Sequence, residues 1–89
     1  MELESDKDFP KLRQLISTWR RNFPMFKHDV TKLEHTIEDY IQQYSIALVH
    51  YRQTKQRRYI ERAEQSLRDI ETVINNAEKA MLMSLLSRR

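Results

Sequence analysis

The sequence contains no glycine, no cysteine and only two prolines among its 89 residues. Glycine and proline are the residues that most often end helices and form turns, so their scarcity favours long, uninterrupted helices. The lack of cysteine excludes disulfide bonds and thiolate metal sites. A chain of this size buries only about 60 to 65% of the surface that its unfolded state exposes. Closely packed helices or association with another chain must therefore supply the stability.

Long hydrophobic runs are also missing. No apolar run approaches the roughly 20 residues that cross a bilayer, and the first eight residues, MELESDKD, are acidic where a signal peptide is basic. We therefore expect a cytoplasmic protein with a disordered acidic N-terminus over residues 1–8 and a single helical domain over residues 9–89. The net charge of +3 permits binding to nucleic acid or to an anionic surface without requiring it.

A short first helix is predicted over residues 10–21. Pro10 suits the first turn of a helix, and Pro24 ends the helix because the residue before a proline is disfavoured in the helical region. The apolar residues between them recur at spacings of three and four, which places them on one helical face. These residues are Leu12, Leu15, Ile16 and Trp19.

Two longer helices are predicted over residues 25–52 and 58–87. In both segments apolar residues recur at alternating spacings of four and three, the heptad pattern of helices that pack lengthwise. The first apolar stripe consists of Phe26, Val30, Leu33, Ile37, Tyr40, Tyr44, Ala47 and Tyr51. The second consists of Ile60, Ala63, Leu67, Ile70, Ile74, Ala77 and Met81.

The stretch VHYRQTKQRRYIER, at residues 49–62, determines how the two long helices are connected. If the first stripe continued in phase it would pass through Arg58 and Glu61, whereas the second stripe begins at Ile60. The two stripes therefore cannot lie on one straight face. Either one helix continues with its stripe rotated, or the chain reverses near residues 53–58. We favour reversal, because stripes of similar length can then cover each other.

The predicted fold class is all-α, a short N-terminal helix followed by a long antiparallel helical hairpin, which together form a coiled-coil-like three-helix unit. The stripe tyrosines Tyr40, Tyr44 and Tyr51 are bulky and carry hydroxyl groups that need partners. Packing among three helices accommodates them better than a two-helix coiled coil. Trp19 and Phe23 of the first helix can supply the third wall.

The sequence offers no pattern of catalytic or metal-binding residues. His28, His35 and His50 have no partners at ligand spacing. Every Asp, Glu, Lys and Arg of the two long helices falls outside the apolar stripes, so the predicted interior contains no acid or base. We therefore expect no catalytic residue, no metal site and no cofactor, and we predict that the protein is not an enzyme.

Apolar residues near the ends of the long helices exceed what one stripe can bury. AMLMSLL at residues 80–86 and SIALV at residues 45–49 place apolar side chains around most of the helix circumference. Exposed surface rich in Met and Leu commonly binds a partner; the alternative is a helix end buried beneath the first helix. The predicted partner-binding residues are Met81, Leu82, Met83, Leu85, Leu86, Ile46 and Val49.

These features predict a protein–protein interaction module, such as an adaptor, an assembly factor or a small chaperone, that binds a helical protein or oligomerises. The rival interpretation is a nucleic-acid-binding helical protein that uses the basic turn at residues 52–62 together with the first helix. Clustered cations can contact phosphates, but they can equally keep an exposed turn solvated. This basic cluster consists of Arg52, Lys55, Arg57, Arg58 and Arg62.

Overall fold

The computed structural model describes residues 1–87, and the helices in that range lie close to the predicted boundaries. The three α-helices of the described chain are α1 (Phe9–Asn22), α2 (Lys27–Thr54) and α3 (Arg57–Leu86). Single 3₁₀ turns lead into α1 (Asp6–Asp8) and into α2 (Pro24–Phe26). The predicted all-α fold, a short helix followed by a long hairpin, is confirmed.

A connection of only two residues, Lys55 and Gln56, joins α2 to α3. Lys55 adopts the left-handed conformation (φ 56°, ψ 21°), and its N–H donates to the carbonyl of Tyr51 at 2.7 Å. Glycine usually occupies such a position, because the left-handed region costs other residues about 1 to 2 kcal/mol. The chain therefore reverses within the predicted residues 53–58, and the alternative of one continuous helix is excluded.

The two predicted apolar stripes form most of the core between α2 and α3. Ile37, Ile70 and Ile74 are the centre of this core and are almost completely buried. Of the stripe tyrosines, only Tyr44 is fully buried, whereas the other two are half-buried. The buried hydrophobic residues of the core are Leu3, Phe9, Leu12, Ile16, Trp19, Phe26, Val30, Leu33, Ile37, Ile41, Tyr44, Ala47, Ala63, Leu67, Ile70 and Ile74.

α1 packs antiparallel to α2 and begins at the level of Tyr44. The Phe9 ring contacts the Tyr44 ring edge to face, with centroids 5.4 Å apart. Two ion pairs join α1 to α2 further along: Arg13 with Glu38 at 3.1 Å and Arg20 with Glu34 at 3.0 Å. Beyond Tyr44, α2 continues to Thr54, which is about 15 Å of helix. This end of the hairpin, residues 45–66, is called the hairpin tip below.

Residues 1–8 lie along α3 in a defined arrangement. Leu3 is only 6% exposed, and its backbone N–H donates to the carboxylate of Glu71. The Met1 amino group donates to Oδ1 of Asn75 at 3.2 Å. This arrangement differs from the disorder that the acidic composition led us to expect, because one apolar side chain and two hydrogen bonds hold the segment against the hairpin.

Candidate interaction surfaces

Apart from Met1, the large apolar side chains that remain exposed in the described chain form two groups, one toward each end of the elongated molecule. At the open end of the hairpin they are Met25 (50%), Leu82 (54%), Met83 (60%) and Leu86 (62%). At the hairpin tip they are Ile46 (50%) and Val49 (46%). The molecule measures 54 Å along its long axis, so these groups form separate surfaces.

The end of α3 is divided between core and surface. Met81 and Leu85 are half-buried and pack against the core, because the spacing of four residues carries them along the same face as Ile74. Leu82, Met83 and Leu86 point away from that face and are exposed. These three side chains are called the C-terminal patch below. Of the five residues at the end of α3 that the sequence predicted to bind a partner, three are therefore exposed.

Two small grooves at the open end border the half-buried part of α3. One, of about 230 Å³, is lined by Phe26, Asp29, Val30, Leu33, Ala77, Ala80, Met81 and Ser84. The other, of about 130 Å³, is lined by Trp19, Phe23, Glu78, Met81, Leu82 and Leu85. Both are smaller than the roughly 300 Å³ at which ligand pockets usually begin. They suit single side chains of a protein partner better than a bound small molecule.

The basic cluster surrounds the turn of the hairpin tip, and all five of its side chains are exposed. Residues 45–66 contain five Lys or Arg and two Glu, so their net charge is +3, the same as that of the whole chain. The other residues together are therefore neutral. The excess positive charge of this protein is a property of one end of the molecule.

Aromatic rings at the hairpin tip contact two of these cations. The guanidinium carbon of Arg58 lies 4.8 Å from the centre of the Tyr59 ring, and Nζ of Lys55 lies 5.6 Å from the centre of the Tyr51 ring. Tyr59 in turn meets His50 edge to face, with centroids 5.0 Å apart. Only the His50–Tyr59 contact joins α2 to α3; each of the two cations contacts a ring close to it along the chain.

Two of the four cations of α1 pair with carboxylates of another helix, whereas Arg57 of the hairpin tip pairs with Glu61 of its own helix at 3.4 Å. Arg13 and Arg20 are paired with carboxylates of α2, and the hydrogen bond from Arg13 to Glu38 raises the pKa of that arginine. Sequence reasoning missed both ion pairs, since they join residues that are distant along the chain. The rival interpretation relied on α1 as a basic surface, and these pairs weaken its positive potential.

A groove of about 440 Å³ opens where α1 begins, between the first turn of α1 and the hairpin tip. It brings together Val49 and Arg52, which the sequence assigned to separate surfaces. Tyr44 lies at the floor of this groove, where burial raises the pKa of its hydroxyl. A hydrogen bond with the Asp6 backbone and the positive charge of Arg52 lower that pKa and so offset part of the increase. We call this groove the Val49 groove; its lining is Asp6, Phe9, Pro10, Arg13, Ile41, Tyr44, Ser45, Leu48, Val49 and Arg52.

Ile46 lies in a different groove although it is only three residues from Val49. This second groove measures about 260 Å³ and is lined by Ile46, Ala47, His50, Tyr59 and Arg62. The two exposed apolar side chains of the hairpin tip are neighbours on the surface of α2, but they line different grooves.

Within residues 1–87, no group of three or more His, Asp or Glu side chains is arranged to hold a metal ion. None of the helices described there is long and apolar enough to cross a bilayer. Comparisons with protein-family models, with curated proteins and with solved structures found no match. The surfaces described above are therefore the basis for a functional interpretation.

Proposed function

We propose that the protein is a non-enzymatic interaction module that packs the C-terminal patch against the helices of a protein partner. The observation that supports this proposal is the exposure of Leu82, Met83 and Leu86, each more than half accessible, in the last turns of one helix. A Leu or Met side chain left in water forgoes roughly 1.5 to 3 kcal/mol of burial. Met25, exposed at the same end, enlarges the apolar surface.

The chemistry of the C-terminal patch suits an adaptor, an assembly factor or a small chaperone. Met and Leu side chains adapt their rotamers to partners of different shape, and an apolar helical face is a common recognition element for other helices. A second copy of the chain is the alternative occupant of this surface. The solution mass of the isolated protein separates these two cases.

The proposal is tested by changing Leu82 and Leu86 together to Lys. We expect the variant to remain folded, because both side chains are exposed, and to lose partner binding or oligomer mass. The matched control is Thr72→Lys with Asn76→Lys, which adds the same charge at exposed polar positions of the same helix. A photo-crosslinking residue at Met83, compared with one at Thr72, identifies what contacts the patch in an extract of the producing cells.

A monomeric wild-type chain whose Met83 probe captures nothing beyond the Thr72 control would refute the proposal. Truncation after Ala80 is a less sharp test. It also removes Met81 and Leu85, which pack against the core, and would therefore reduce stability as well as surface. The point substitutions change the surface alone.

Nucleic-acid binding by the hairpin tip is the second candidate function, favoured by the location of the whole net charge at that end. Arg57→Glu with Arg58→Glu should abolish such binding and leave the melting temperature nearly unchanged, because exposed charges contribute little to stability. Lys11→Glu with Arg21→Glu, an equal charge change on exposed positions of α1, is the control. Binding that falls steeply with salt supports this function; equal loss in both variants indicates nonspecific attraction.

A further inference from the structure

The hairpin tip has an open position where a third helix would pack. α1 covers the hairpin only as far as Tyr44, where Phe9 ends the contact, and residues 1–8 turn back along α3 toward Asn75. About 15 Å of the hairpin, or nearly three helical turns, therefore extends past both segments. The Val49 groove lies at this boundary, in line with the start of α1.

The floor of the Val49 groove is apolar, and its edge toward the turn is basic. Leu48 is half-buried and Val49 is 46% exposed, so apolar surface remains to be covered. Arg52 lines the edge toward the turn and Asp6 lines the edge beside α1, while Arg13, the third charged residue of the lining, is paired with Glu38. The basic cluster continues from Arg52 around the turn. An occupant with an apolar face and acidic flanks matches this distribution.

We propose that the Val49 groove is the docking site for one acidic amphipathic helix of a partner protein, which continues the third layer that α1 begins. The proposal rests on the proposed interaction function and specifies the class of partner. An apolar stripe of the helix packs on Leu48 and Val49, and its Glu or Asp residues face Arg52 and the neighbouring cations.

The charge of α1 argues against the α1 helix of a second copy as the occupant. α1, the helix whose position the occupant would extend, carries four Lys or Arg and no acidic residue. A second copy of α1 would bring these cations against the net charge of +3 at the tip. A single-stranded nucleic acid fits the cations, but its bases stack best on exposed aromatic rings, whereas the rings of this groove, Phe9 and Tyr44, are buried. The acidic helix fits both the cations and the apolar floor.

The test uses the full chain and two helix-stabilised synthetic peptides about three turns long. Both peptides carry Leu at positions that form one apolar stripe, one with Glu and the other with Lys on its flanks. We expect the Glu peptide to bind and to shift the backbone amide NMR signals of Ser45, Leu48, Val49 and Arg52. We expect the Lys peptide to bind at least roughly tenfold more weakly.

Val49→Lys and Ile46→Lys form a matched pair, since both residues are about half exposed on the same helix and line different grooves. Val49→Lys should weaken binding of the Glu peptide by roughly tenfold or more, and Ile46→Lys should not. Arg52→Glu should remove the preference for the Glu peptide. Equal effects of the two Lys substitutions, or equal affinity for the two peptides, would overturn the proposal.

Two further outcomes separate this inference from the proposed function. If the Glu peptide shifts the signals of Leu82, Met83 and Leu86 in place of the groove signals, the Val49 groove is not the site, while the C-terminal patch still binds helices. If neither peptide binds and a single-stranded oligonucleotide shifts the groove signals, the acidic-helix proposal fails in favour of nucleic acid. Loss of partner capture in Leu82→Lys with Leu86→Lys remains an independent test of the C-terminal patch.

Discussion

The ring of Phe9 meets the ring of Tyr44 edge to face, with centroids 5.4 Å apart, at the point where α1 begins along the hairpin. Toward the open end from this contact, the hairpin has α1 as a third layer. Toward the turn, the described chain has only α2 and α3. The contact therefore divides the molecule into a three-helix section and a two-helix section.

Spin labels at Asp29 and Ala80 test the hairpin directly. Both residues are exposed and line the same groove, so the label distance should be roughly 10 to 25 Å, given packed helices 8 to 10 Å apart. One continuous helix would separate them by about 75 Å. The chain has no cysteine of its own, so double electron–electron resonance reports only the introduced pair. A pair at Asp29 and Gln53, both on α2, provides an internal ruler, and a long Asp29–Ala80 distance in a monomer would contradict the fold.

Replacing Lys55 with Gly should stabilise the protein. Glycine adopts the left-handed conformation at φ 56° without steric cost. Its greater conformational entropy in the unfolded chain offsets part of this advantage, so the free energy of unfolding should rise by about 0.5 to 1 kcal/mol. The urea unfolding midpoint measures this change. Lys55→Ala is the control, since it removes the contact with Tyr51 but retains the unfavourable φ. A gain in both variants would mean that the lysine side chain, and not its backbone, is the source of strain.

The substitution Ile74→Ala should destabilise the fold by about 2 to 5 kcal/mol, because it leaves a cavity at a fully buried position. Small domains have about 5 to 15 kcal/mol of total stability, so this variant should lose much of it. Ile46→Ala removes the same atoms from a half-exposed site and should change the free energy of unfolding by only about 0.5 kcal/mol. Chemical denaturation compares the two, and equal losses would place Ile46 in the core.

Tyr44→Phe should make the protein less sensitive to alkaline pH. Burial raises the pKa of Tyr44 above its ordinary value of 10.0, so below that value the hydroxyl is protonated in both the folded and unfolded chains. Above it the unfolded chain ionises first, and the free energy of unfolding falls as pH rises. Urea unfolding between about pH 8 and pH 11 should show a shallower decline for the variant. Parallel curves would mean that Tyr44 titrates alike in both states.

Much of the fold was predictable because apolar spacing records which helical face is buried. The stripe from Val30 to Ala47 and the stripe from Ala63 to Ile74 became the core, and the phase break between them located the turn. A heptad pattern arises from packing along a whole helix, so a few half-buried members, such as Tyr51, do not obscure it.

The remaining features depend on contacts between distant parts of the chain. The burial of Leu3 requires α3 to lie beside the N-terminus, which no local pattern indicates. The turn at Lys55 has no glycine to mark it. The rotation of α3 about its own axis decides which apolar residues at its end are exposed. In this structure Met81 and Leu85 face the core. The proximity of Val49 to Arg52 follows from helical spacing, but the groove that they share requires the start of α1.

Within residues 1–87 no third layer covers the hairpin beyond Tyr44, and this affects where the folded chain opens first. Backbone amides exchange with solvent hydrogen through local openings, and these occur most readily where few apolar contacts must be broken. The basic cluster adds mutual repulsion that acts in the same direction at low ionic strength. Amides of residues 48–54 should therefore exchange well before those of residues 30–41, so that the charged end loosens while the three-helix section stays closed.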